Sequence, residues 1–286
     1  WPANNDGENS RLYEAVKACS DFCIDLGINV PTGKDSMSMK QKYSDKEVLA
    51  PGTVIISATG QSDNFKKTVE PYLKDIESFL YYVDMSYCDY HLGGSALYQA
   101  NNKIGNRCND INSAKKFKNI FNVIQNIIKD GDIHSGHDIS SGGMITCLLE
   151  MCFVSDGIGL NIDLSSLEES DIIKVLFSEN HGIIFQAEEK IEDRLSNSNI
   201  KFHKIGSLSK SSNLTVIKSD FNINLDIDEY RKKWFKKSYL FDKLQSVNSK
   251  AKERFDNLKS NKLNFKFPNW FKSKFTFKPE KKVKAA

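Results

Sequence analysis

The sequence predicts a mixed α/β fold with a mixed sheet, packed helices and two subdomains. Three observations carry this. Short apolar runs rich in β-branched and aromatic residues recur at Thr53–Thr59, Phe79–Val83, Leu160–Leu164, Gly182–Ala187 and Leu214–Lys218. Segments with helical apolar spacing fill the gaps between them, and strands alternating with helices pack in layers. Glycine-containing turns punctuate the joins, and a second unit starts near Phe65.

Each element has its own signal. Leu12, Ala15, Val16, Cys19, Cys23 and Leu26 share one face of a helix over 10–26, with Ser10 as cap and Gly27 as stop. The Pro51-Gly52 turn sets off the strand Thr53–Thr59. After strand Phe79–Val83 comes Leu92-Gly93-Gly94-Ser95, then a helix through about Ile104. Phe117, Ile120, Phe121, Ile124, Ile127 and Ile128 mark a strong amphipathic helix that ends before Gly131. The segment from His134 to Gly143 reads as a loop, and Met144, Leu148, Met151 and Cys152 form one side of the helix that follows. Residues 244–260 look helical.

Composition narrows the classes of function. Forty basic residues against 37 acidic give a formal charge of +3, too balanced to indicate nucleic acid. Two basic runs, Arg231, Lys232, Lys233, Lys236, Lys237 and Lys278, Lys281, Lys282, Lys284, read as solvated surface or linker. The aromatics among the lysines of the arm, Trp270 and Phe271 included, fit packing on a neighbouring surface better than single-stranded nucleic acid. No run reaches the about 20 apolar residues of a membrane helix, and no signal peptide is visible. The six cysteines are scattered without a CxxC pair, which is expected of reduced thiols in a cytoplasmic protein. The start at Trp1-Pro2 suggests a piece of a longer chain.

Two loops carry chemistry. Gly142-Gly143 leads directly into a helix, a geometry that lets backbone N–H groups and the helix start meet a phosphate. Asp138 upstream is a hard oxygen ligand suited to Mg²⁺, and Ser140 offers a hydroxyl. The same residues also fit a tight turn with Asp138 or Ser140 as an N-cap. In the second loop, Lys34, Asp35 and Ser36 follow Gly33 and could hold phosphate, or form a solvated turn; the P-loop spacing is absent. His134 and His137 form H-x-x-H, but no further ligand completes a zinc set. No nucleophile elbow appears, so no catalytic residue is assigned.

Five ordered motifs resemble one family: RLYEAVKA (Arg11–Ala18), PTGKDSMSMK (Pro31–Lys40), APGTVIISA (Ala50–Ala58), LGGSAL (Leu92–Leu97) and HDISSGG (His137–Gly143). Together they are similar, from residue 1 to about 220, to the second half of the synthetase region of large formylglycinamide ribonucleotide amidotransferases. The resemblance implies an aminoimidazole ribonucleotide synthetase-like fold of two subdomains, with residues 1–62 the end of the first, 63–220 most of the second and 221–286 a connecting arm toward a glutaminase domain. It also implies a part in an ATP-dependent carbon–nitrogen ligase of purine biosynthesis, with glutamine-derived ammonia as nitrogen donor. Asp138 would bind Mg²⁺. Ser140, Gly142 and Gly143 would contact ATP or ADP, and Lys34, Asp35 and Ser36 would face the ligand cleft. Partners would be ATP, formylglycinamide ribonucleotide, a first synthetase half and a glutaminase domain of the same chain. Ser141 stands where many relatives carry Asp. A relative of the same superfamily, or a nucleotide-binding module without chemistry, is the competing expectation.

Overall fold

The computed structural model describes residues 1–62, 64–247 and 249–259. The second basic run and the aromatics from Phe265 to Phe277 lie outside the described residues. Residues 1–62 hold helix α1 (Glu8–Leu26) and a small antiparallel ladder of β1 (Lys40–Lys42) with β2 (Glu47–Leu49). The rest is built on strands β3 (Phe79–Asp84), β4 (Ile133–Asp138), β5 (Gly159–Asp163), β6 (Gly182–Ala187), β7 (His203–Ser209), β8 (Asn213–Lys218) and β9 (Phe221–Asp226). Between and after them run α2 (Ala96–Ala100), α3 (Ala114–Asp130), α4 (Gly143–Phe153), α5 (Ile172–Phe177), α6 (Ile191–Asn197), α7 (Ile227–Gln245) and α8 (Lys250–Asp256).

The seven strands β3–β9 form one sheet in the order β4-β6-β3-β7-β5-β8-β9. Only β5 and β8 run parallel, so the sheet is mixed. β3 is third in that order, between β6 and β7, and its run Leu80-Tyr81-Tyr82-Val83 is buried on both faces. Leu80 and Tyr82 join the cluster built with α4 and α5, whereas Tyr81 and Val83 join the one built with α3 and α6. A strand covered on both sides has no polar face, which is why its sequence is a continuous apolar run.

The helices on the two faces differ in the same way. On α3, Ile120, Ile124 and Ile127 are buried, Ser113 accepts the Lys116 N–H, and Gly131 at φ 87° ends the helix. Helix α4 is buried nearly all round, because α5 and α7 also cover it. Arg231, expected in the solvated run, is 3% exposed. Its Nε donates to the Phe153 carbonyl at 2.6 Å and its Nη1 to Asp228 at 2.5 Å. A guanidinium thereby meets the carbonyl end of α4, where the helix dipole favours a cation. Two of the arm's aromatics pack, Trp234 edge-on to Phe153 and Tyr239 stacked on Phe255, whereas Phe241 is exposed.

Four expectations are corrected. Thr53–Thr59 forms no strand: among the described residues no backbone lies alongside to pair with it, and Ile55 is 84% exposed. Residues 134–138 are strand rather than loop, because β4 pairs with β6 from Ile133 to Asp138. The helix expected to reach Ile104 is the single turn α2, closed by Asn101. The sheet runs past residue 220 into β9, which pairs with β8 over its whole length.

Candidate functional site

The end of β4 and the start of α4 hold the residues singled out in the sequence. Asp138 is the last residue of β4, at the edge of the sheet, with its side chain 74% exposed. One more bond to β6 follows, from the Ile139 N–H to the Gly182 carbonyl at 2.8 Å, before the chain turns away. Ser140 and Ser141 are exposed on the turn. Gly142 (φ 94°) and Gly143 (φ 74°) both take the left-handed conformation, which glycine adopts without a Cβ penalty. The turn is therefore glycine-dependent, and Asp138 and Ser140 are both exposed beside it.

A chain of polar contacts holds Asp138 from behind. The Nδ1 of His137 lies 2.7 Å from the Asp138 carbonyl, and its Nε2 lies 3.1 Å from Glu150 Oε2. Trp234 Nε1 donates to the other oxygen of Glu150 at 2.9 Å. So α4 and α7 fix the ring that precedes the candidate metal ligand. His134 points elsewhere, toward Glu188 at 3.7 Å, so the H-x-x-H pair shares no ligand position. Among the described residues no group of three His, Cys, Asp or Glu side chains could hold a metal ion. Asp138 is a hard, water-facing oxygen donor, which fits Mg²⁺ held largely by phosphate and water.

The glycine amides are placed differently from the sequence expectation. The Gly142 N–H donates to Glu179 Oε1 at 2.8 Å, and the Gly143 N–H to the Ser140 carbonyl at 3.0 Å. Gly143 is buried against the end of α5. Glu179 lies outside the motifs that the sequence singles out, and it sits between Ser178 and Asn180, two polar residues that are buried. The same Oε1 accepts the Ala96 N–H at 2.8 Å, at the start of α2 and the end of the Leu92–Ser95 loop. That second glycine loop, a weak signal alone, is thus joined to the first.

The Lys34–Ser36 loop stands apart. Lys34 Nζ donates to Ser36 Oγ at 2.9 Å, all three side chains are exposed, and the terminal amine of Trp1 donates to the Ser36 carbonyl at 2.6 Å. Among the described residues no hydrogen bond or ion pair joins this loop to Asp138–Gly143.

Comparison with known proteins matches these regions to two family models. Residues 1–61 match the FGAR-AT PurM_N-like domain, and residues 89–219 the AIR synthase related protein, C-terminal domain. The Arabidopsis thaliana protein named probable phosphoribosylformylglycinamidine synthase, chloroplastic/mitochondrial, is 34% identical over 94% of this chain. The Homo sapiens phosphoribosylformylglycinamidine synthase is 31% identical over 86%. This chain spans 19% of the length of each. Among solved structures, Thermotoga maritima PurL complexed with FGAR aligns with a TM-score of 0.56 at 10% identity, over 80% of this chain and 38% of that one. PurLQS of the same organism aligns at 0.53 and 10%, over 79% and 36%. These two likenesses establish the expected aminoimidazole ribonucleotide synthetase-like architecture.

Proposed function

We propose that this chain, whose residues 1–61 match the FGAR-AT PurM_N-like domain and residues 89–219 the AIR synthase related protein, C-terminal domain, is part of an ATP-dependent phosphoribosylformylglycinamidine synthase. The reaction joins glutamine-derived ammonia to formylglycinamide ribonucleotide in purine biosynthesis. The role of this part is to bind Mg²⁺ and ATP or ADP. The observation that carries it is the placement of Asp138 and Ser140, exposed together where an edge strand turns into the buried helix α4. Asp138 would hold Mg²⁺ there, the ion would supply positive charge to a phosphate-bearing ligand, and the Ser140 hydroxyl would donate to a phosphate oxygen. The remaining metal ligands come from outside the described residues, as does the glutaminase. A cytoplasmic location, residues 1–62 as the end of one subdomain and Lys34, Asp35 and Ser36 on the ligand cleft belong to the same proposal. Among the described residues no helix is long and apolar enough to cross a membrane.

A second reading is a site that binds nucleotide only to stabilise the assembly. One substitution separates the two. In the intact polypeptide carrying this chain, Asp138→Asn should abolish Mg²⁺-dependent ATP binding in calorimetry and lower turnover per folded molecule. Lost binding with turnover per folded molecule intact would support the stabilising role. Unchanged nucleotide affinity would reject both.

A further inference from the structure

We propose that Glu179 is a positioning residue that locks the Leu92–Ser95 and Ser140–Gly143 loops into one ligand-binding platform. The proposal rests on the nucleotide-binding reading above and assigns to it a second loop and the group that ties the two together. A single carboxylate oxygen, Oε1, accepts 2.8 Å hydrogen bonds from the N–H groups of both Ala96 and Gly142. Charge-assisted bonds of this kind are about twice as strong as neutral ones. Without the carboxylate, two backbone donors would face the same space with nothing between them, and the loops would separate.

The base from which Glu179 reaches is stitched to both loops. Asn180 Nδ2 donates to the Cys88 carbonyl at 3.1 Å and Ser178 Oγ to Asn180 Oδ1 at 2.7 Å. The Met85 N–H donates to the His181 carbonyl at 2.9 Å, and the Ile139 N–H to the Gly182 carbonyl at 2.8 Å. Residues 178–182 therefore carry the chain entering the first loop and the chain entering the second. The first loop is rigid on its own far side as well. Gly93 and Gly94 donate to the carbonyls of Arg107 and Ile104, and a Cβ on Gly93 would stand 2.1 Å from the Arg107 oxygen. Gly94 on one loop and Ser140 and Ser141 on the other stay exposed. Lys103 and Arg107, beside the first loop, make no ion pair among the described residues, which leaves cations available to an anionic ligand. What Glu179 adds is a direct tie between the two loop ends, beyond the support that residues 178–182 give the chains entering them.

The test uses the intact polypeptide, with Mg²⁺·ATP as probe. Glu179→Ala should weaken binding by about ten-fold while the melting temperature without nucleotide stays near wild type. Amide exchange should quicken at Ala96 and Gly142 together. Glu179→Gln keeps an oxygen that accepts both N–H groups and should restore affinity and exchange. Glu179→Asp, one methylene short, should not. If the alanine variant does not fold, the Gln and Asp pair decides by the same readouts. Affinity unchanged in Glu179→Ala, exchange altered at only one amide, or affinity lost only in step with global stability would overturn the positioning role. Wild-type protein that binds no nucleotide would instead overturn the functional reading on which it rests.

Discussion

The carbonyl oxygen of Leu176 stands 2.6 Å from where a Cβ on Gly143 would begin. The backbone of Phe177 lies 2.8 Å from the same point, so neither obstacle is a side chain that can swing away. Gly143 is thus required by packing between α4 and α5, beyond any need for a ligand to approach its amide. Gly143→Ala should destabilise the chain by about 3 kcal/mol, the sum of a left-handed backbone without glycine and an overpacked contact. Gly157 has a similar φ of 72° with nothing within 4 Å of its would-be Cβ. Gly157→Ala should therefore cost only the backbone part, about 1 kcal/mol. Urea denaturation of the two variants separates these contributions, and equal losses would remove the packing explanation.

The thiols should divide sharply by reactivity. Burial pushes the Cys152 thiol up to about 12, with the nearby Arg231 cation offsetting part of the rise. Burial, with the negative charges of Asp138 and Glu150, pushes Cys147 higher still. At pH 8 a thiol of pKa near 12 is ionised to about one part in ten thousand, and the thiolate is the nucleophile. Cys108 is exposed. Iodoacetamide should label Cys108 in the native chain and reach Cys147 and Cys152 only in denaturant, as read by peptide mass mapping. Prompt native labelling of Cys152 would contradict the packing of α4 against α7.

What was legible in the sequence depended on whether a signal was local. Helix α1 ends at Gly27 and α3 is bounded by Ser113 and Gly131, because caps and helical periodicity are written within a few residues. β3 was visible because a strand buried on both faces must be apolar throughout. Strand β7 was not. Ile205 is its one buried residue, and Gly206 is there because a Cβ would stand 2.2 Å from the Asn161 carbonyl on β5. That demand comes from a neighbouring strand and leaves no periodic trace. Thr53–Thr59 shows the converse: β-branched residues state a preference, but a strand also needs a partner for its backbone. At the site, Asp138, Ser140, Gly142 and Gly143 could be picked out as a contiguous motif. Glu179 lies far from it in sequence, and only the fold brings its carboxylate to Gly142.

His203 should give the chain a stability that falls on the acid side. Its ring stacks on Tyr82 at 6.2 Å, and its Nδ1 lies 3.1 Å from Ser166 Oγ. Burial, reinforced by the Lys201 cation, holds its pKa below the usual histidine value, while Glu168 and Asp84 oppose the shift. With the folded pKa depressed, both states are neutral at high pH and the group contributes no pH dependence there. As pH falls below about 6.5, the unfolded histidine takes up a proton that the folded one refuses, so the unfolded state is favoured. The loss continues until pH passes below the folded pKa. His203→Gln removes the titration. Its stability relative to wild type should therefore improve between about pH 7.5 and about pH 5.5, measured by urea denaturation at each. A difference between the two proteins that stays constant over that interval would show that His203 titrates alike in both states, and the buried stack on Tyr82 would not be its environment in solution.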